Sequence, residues 1–147
     1  MSISVINIDP SPSSMLGSLR SIGYNLKTAL ADVLDNSIAA GASHIEIVNN
    51  DLKSGANELE WIAIVDNGIG MTRDGIAAAF TLGGKGINAF RHETDLGRFG
   101  LGLKTASFSQ CKRLTVISKT NTSEVSSLVF DIDYIGDNGW KVFDSGN

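Results

Sequence analysis

The 147-residue chain is poor in cysteine, proline and charge, and it has no long apolar run. Its single cysteine can form no internal disulfide, which points to a reducing setting, so a cytoplasmic location is the expectation. One Cys and two His (His44 and His92), at no ligand-like spacing, cannot close a tetrahedral zinc site. No stretch approaches the ~20 apolar residues that span a bilayer, so no membrane partner is expected. The opening MSISVINIDP lacks the basic region and apolar block of a secretory signal. With 12 Lys and Arg against 16 Asp and Glu, the net charge is −4, which argues against a dedicated polyanion-binding surface. Nucleic acid is therefore not indicated as a direct partner, except through other domains.

What is present suits one folded domain over residues 1–147. Hydrophobic residues make up 42%, and a chain of this length buries roughly 70% of its unfolded surface. Residues 3–8 read as a strand, and 13–23 as a helix with Ser13 or Ser14 as N-cap. Residues 26–40 carry the clearest helical period, with Leu26, Leu30, Val33, Leu34 and Ser37/Ile38 on one side and Gly41 at the end. Strands are expected at 44–48 and 61–65, then a short helix at 73–80 capped by Thr72. Residues 81–99 have no period and read as a long loop, followed by a helix from about Gly100 to Gln110. Strands at 113–119 and 125–135 come next, then a hairpin turn at Asn138-Gly139 with a return strand at 140–143. This order suggests an α+β two-layer sandwich: a mixed, mostly antiparallel sheet with helices on one face.

Three segments carry chemistry. In the helix 26–40, Thr28, Asp32, Asp35, Asn36 and Ala39 share one face. Alone this reads as a solvated face, but Asp and Asn are mediocre helix formers to place mid-helix. Asp32 and Asn36, at i,i+4, point the same way. A carboxylate and an amide oxygen so placed suit Mg²⁺, which takes few protein ligands beside phosphate oxygens. Alternatively, the carboxylate orients or deprotonates a water attacking a phosphoryl group.

The second segment, IAIVDNGIGM at 62–71, runs a strand into Asp66-Asn67-Gly68-Ile69-Gly70. By itself this is also ordinary β-turn chemistry. The third, GRFGLGLKTASFSQ at 97–110, leads glycines into a helix N-terminus that exposes backbone N–H groups to an anion, with Lys104 nearby. It is not a P-loop, because Lys104-Thr105 come one residue late and no buried strand precedes Gly97. Nor is it the dinucleotide fingerprint, since the glycines run G-x-x-G-x-G. His44, His92, Arg91, Cys111, Trp61 and Trp140 read as packing or solvated residues.

Taken together, the order Asp-x-x-x-Asn on a helix, strand-Asp-x-Gly-x-Gly, long loop, and G-x-x-G-x-G into a helix resembles the GHKL ATPases. These share the Bergerat ATP-binding fold and include gyrase-type topoisomerases, ninety-kilodalton heat-shock chaperones, histidine kinases, MutL-type repair proteins and MORC proteins. The likeness covers roughly residues 15–119 and looks closest to the MORC, chaperone and MutL-like branch. It implies that ATP and ADP are ligands and that Asn36 holds Mg²⁺. It implies that Asp66 accepts the adenine amine, that Gly68 and Gly70 let the base approach the backbone, and that Ala40 and Met71 line its pocket. It implies that Phe99, Gly100, Leu101, Gly102 and Leu103 wrap the phosphates, with Lys85 and Lys104 as phosphate contacts and Lys85 on an ATP lid.

Two features depart from the family pattern. Asp32 stands where most hydrolysing members have the general-base Glu, and Ala39 stands where an Asp is usual. No later Gly-Thr strand or transducer domain is found, so the chain reads as truncated at its C-terminus. The resemblance thus implies a Mg-dependent ATPase module, slow or inactive as this piece, whose lid closure drives ATP-dependent homodimerisation. A non-hydrolysing ATP-binding switch is the alternative; a protein kinase of the same fold is disfavoured by the motif details.

Overall fold

The computed structural model describes residues 6, 11–21, 23–50, 61–82 and 102–146. In chain order the elements are α1 (Pro12–Arg20), α2 (Leu26–Ala39), β1 (Ile45–Asn49), β2 (Ile62–Asp66), α3 (Arg73–Phe80), α4 (Gly102–Gln110), β3 (Arg113–Ser118), β4 (Ser126–Asp131), α5 (Ile132–Asn138) and β5 (Phe143–Asp144). The strands form two antiparallel sheets, β1-β2 and β3-β4-β5. The expected strand at 3–8 and nearly all of the loop 81–99 lie outside the described residues. The architecture is α+β.

The helices of the core gather on one face of the three-stranded sheet. In β3 the half-buried residues Leu114, Val116 and Ser118 alternate with exposed Arg113, Thr115 and Ile117, the period of a sheet covered on one side. On β4, Leu128 and Phe130 are both 2% exposed and point into that face. They meet Leu16 of α1, Ile76 and Phe80 of α3, Phe108 of α4 and Ile135 of α5 in one core cluster. Phe130 is its hub, with ring centroids 4.5 Å from Phe108 and 5.6 Å edge-on from Phe80. Arg20 ties α1 to the end of α4 by donating to the Phe108 and Cys111 carbonyls at 2.9 and 2.8 Å.

Local signals set the helix ends that matter for the site. Asn25 caps α2 by accepting from the Thr28 N–H at 3.0 Å. At its other end Gly41 takes φ +72°, Gly41 N–H donates to Ile38 O and Ala42 N–H to Ser37 O. That pair of bonds is a Schellman closure, and it turns the chain directly into β1. Thr72 caps α3 as expected, accepting from Gly75 N–H at 3.2 Å.

Three expectations are corrected. Helix α1 begins after Ser11, with Pro12 in its first turn, and not after Ser13 or Ser14; it ends at Arg20. The strand expected over 125–135 stops at Asp131, because that carboxylate accepts from the Asp133 and Tyr134 N–H groups and starts α5. Asn138-Gly139 is accordingly the end of a helix, with Gly139 at φ +79°, and not a two-residue hairpin. β5 still returns antiparallel to β4, with Leu128 opposite Asp144 and Val129 opposite Phe143.

Candidate functional site

The site is built where the end of α2 meets the turn after β2. β2 delivers Asp66 opposite Ile45, at the last pair of its ladder. The Asp66 carboxylate is then fixed from two sides. Oδ1 accepts the Gly68 N–H at 2.9 Å, and Oδ2 accepts the Ser37 hydroxyl at 2.9 Å. Ser37 is 5% exposed, on the inward face of α2. A carboxylate offers about four acceptor positions, so two bonds orient it and leave capacity for an incoming donor.

The rest of the turn is locked to its surroundings. Asn67 Oδ1 accepts from the Ser43 and His44 N–H groups, both at 2.9 Å, and its Nδ2 donates to Ser43 Oγ. Ile69 N–H donates to the Ala40 carbonyl at 3.0 Å. Met71 N–H donates to Ser118 Oγ at 2.8 Å, and the Met71 side chain packs against the core. A Cβ at Gly68 would lie 2.9 Å from the Ala40 Cβ, and at Gly70 (φ +68°) it would run into the Lys119 carbonyl. The sequence expectation gave these glycines to an approaching base. A side chain at either position would meet protein where its Cβ would stand. Ala40, expected to line the base pocket, touches this turn through its carbonyl and stands beside Gly68.

Asp32 and Asn36 lie one turn apart on α2, Asp32 half-buried and Asn36 exposed. Asn36 Nδ2 donates to the Asp32 carbonyl at 2.8 Å, which leaves Oδ1, the atom a hard cation takes, as the amide's outward acceptor. The Asp32 carboxylate raises the pKa of the Tyr24 phenol, first through side-chain hydrogen bonding, then with slight burial and through its negative charge. Among the described residues no group of three or more His, Cys, Asp or Glu side chains gathers to hold a metal. Asn36 Oδ1 could serve a hard cation that takes one protein oxygen and completes its shell with phosphate and water.

Helix α4 packs along α2. Its first residue, Gly102, is exposed with open space around it, and Leu103 is half-buried. Lys104 departs from the expectation that it meets phosphate. Its side chain is 2% exposed, and Nζ donates to the Ala79 and Thr81 carbonyls at 2.6 and 3.0 Å. Burial lowers its pKa. Lys85, Phe99, Gly100 and Leu101 lie outside the described residues. The structure thus joins Ser37 and Ala40 of α2 to Asp66 and Gly68 at one corner, keeps Asp32 and Asn36 one turn apart on the same helix, and turns Lys104 into the interior.

Two residues escape the sequence argument. Ser37 falls on the apolar stripe of α2, and a hydroxyl in such a stripe was itself the signal, since it needs a buried partner. Tyr24 precedes the helix cap, and only the contact with Asp32 gives it meaning.

With this geometry in view, the comparisons with known proteins become specific. Residues 24–145 match the family model of histidine kinase-, DNA gyrase B- and HSP90-like ATPases. The DNA mismatch repair protein MutL of Neisseria meningitidis serogroup B is 36% identical over 105 residues, 69% of this chain and 15% of that protein. ATPase morc-1 of Caenorhabditis elegans is 28% identical over 92 residues, 63% of this chain and 10% of that protein. The chain thus spans only a small part of the length of these curated relatives. By the extent of the family match, from Tyr24 to beyond β5, the chain belongs to the histidine kinase-, DNA gyrase B- and HSP90-like ATPases.

Proposed function

We propose that this domain binds ATP with Mg²⁺ at the α2–β2 corner, hydrolyses it slowly, and uses nucleotide-dependent closure of the segment 81–99 to pair with a second copy. The observation that carries the reading is the held carboxylate of Asp66. Its two fixed bonds, from Ser37 and Gly68, aim an acceptor at the end of a rigid strand. Such an acceptor suits the exocyclic amine of adenine and disfavours guanine, which carries an oxygen there. Asn36 would hold the metal through Oδ1. The metal would supply charge neutralisation of the phosphates, and the N–H groups at the start of α4 would supply further donors.

Asp32 is assigned as the group that orients the attacking water. It is a methylene shorter than the glutamate of most hydrolysing relatives. Small misplacements of a catalytic group cost about a hundredfold in rate, which supports slow turnover. The second reading, an ATP-held switch with no hydrolysis, rests on this same observation.

Calorimetric titration of the protein with ATP, ADP and GTP, with and without Mg²⁺, tests the proposal. Adenine nucleotides are expected to bind and GTP is not, with Mg²⁺ strengthening ATP in the wild type and having no effect in Asn36→Ala. Equal affinity for GTP would remove the role given to Asp66. A rise in turnover on Asp32→Glu would favour a slow hydrolase over the switch.

A further inference from the structure

A lysine side chain that is 2% exposed is unusual unless its charge is partnered. The partners of Lys104 are carbonyls, and both belong to the end of α3: Ala79 in its last turn and Thr81 at its C-cap. Thr81, the C-cap, closes part of that helix end, its N–H donating to the Ala77 and Ala78 carbonyls and its hydroxyl to Ala77. The last turn has no basic residue of its own, and Thr81 is extended (φ −66°, ψ 121°). A further cap comes from another helix. Lys104 stands in the first turn of α4, so one ammonium bridges the carbonyl end of α3 and the start of α4. A cation at a helix C-terminus is also placed favourably against the helix dipole. To reach a phosphate, Nζ would have to leave two charge-assisted bonds and a buried position.

Resting on the nucleotide-binding reading above, we infer that Lys104 is a positioning residue and not a phosphate ligand: its ammonium clamps the end of α3 to the first turn of α4 and fixes how that turn presents its backbone N–H groups. By holding the first turn of α4 in place, the clamp leaves less ordering to be done when an anion arrives.

Three measurements on the full 147-residue protein test this. In nucleotide-free Lys104→Met, amide hydrogen exchange at Phe80 and Thr81 is expected to rise about tenfold, while exchange in β3 and β4 stays as in wild type. The same variant is expected to lose about tenfold in affinity for ATP and ADP but less than about twofold for adenosine, which carries no phosphate. In the wild type, the nitrogen-15 resonance of the Lys104 ammonium is expected to stay put on ATP addition. Unchanged exchange at the end of α3, an equal loss for adenosine, or an ammonium resonance that moves with ATP would each overturn the clamp. Should Lys104→Met fail to fold, the wild-type resonance still decides. A wild type that binds no adenine nucleotide defeats the nucleotide reading instead, and the exchange result then judges the clamp by itself.

Discussion

The Ser37 hydroxyl donates to Oδ2 of Asp66 across 2.9 Å and so joins the last turns of α2 to the end of β2. It is a bond from a buried donor to a charged acceptor, the kind that contributes about 1.5–3 kcal/mol. If Asp66 reads adenine, its aim depends on this serine. Ser37→Ala is therefore expected to weaken ATP and ADP binding by about tenfold. Asp66→Asn, which offers a donor where the acceptor is needed, should abolish binding. Calorimetry on variants shown to be folded checks both, and an unaltered ADP affinity in Ser37→Ala would detach the serine from recognition.

Gly70 and Gly41 share a left-handed backbone, φ +68° and +72°, but not their surroundings. Nothing lies within 4 Å of a Cβ built at Gly41, whereas one at Gly70 meets the Lys119 carbonyl. Gly41→Ala should cost only the conformational penalty, about 1 kcal/mol. Gly70→Ala should cost about 3 kcal/mol or more, because the turn must also part from β3 and strain the Met71–Ser118 bond. Denaturant midpoints of the two variants check the difference. Equal losses would mean that the turn yields without resistance.

Much of this was readable from residue pattern, and the failures have physical causes. The helix 26–40 announced itself because its apolar residues keep a 3.6 period over four turns, and the structure differs only at its last residue. Thr72 was legible as a cap because its hydroxyl precedes a short amphipathic run. The strand expected through 135 failed because Ile132 and Ile135 are as consistent with a helix as with a strand, and a single aspartate, Asp131, decided between them. Of the candidate site, the turn chemistry around Asp66 is ordinary by itself, and only the resemblance to the GHKL ATPases singled the residue out. The surroundings of Lys104 were not legible, because spacing cannot show which way a long side chain runs. A lysine near a glycine-rich helix start suggests an anion, and here its ammonium donates to the Ala79 and Thr81 carbonyls.

Asp131 also gives a stability prediction with a defined sign. Its pKa is lowered from 3.8, chiefly by the Tyr134 N–H and then by the Arg113 side chain, which bonds it through Nε at 2.9 Å. A carboxylate lowered on folding contributes stability above its ordinary value and loses it as pH falls through the lowered folded value. Asp131→Ala should cost about 1–2 kcal/mol at neutral pH by removing the α5 cap. Asp131→Asn keeps a capping oxygen, so it should cost less and flatten the part of the acid transition below 3.8 that this group supplies. Urea unfolding across the acid range checks the pair. An acid transition identical in wild type and Asp131→Asn would show that the group does not titrate with folding.

The Tyr24–Asp32 contact can be read directly, because the chain has only two tyrosines. The Tyr24 phenol is raised from 10.0, first by its bond to the Asp32 carboxylate, then by slight burial and by the negative charge, which all favour the protonated form. A group raised on folding contributes stability that is whole below its ordinary value and is lost as pH climbs through the folded one. On the tyrosine side the contact should therefore weaken in alkali above 10.0, and not near neutrality, where the proposed chemistry runs. In a Tyr134→Phe background, spectroscopic titration of the remaining phenol should give a value above 10.0 that falls back toward it in Asp32→Asn. A titration unmoved by Asp32→Asn would mean that the hydroxyl does not meet the carboxylate in solution.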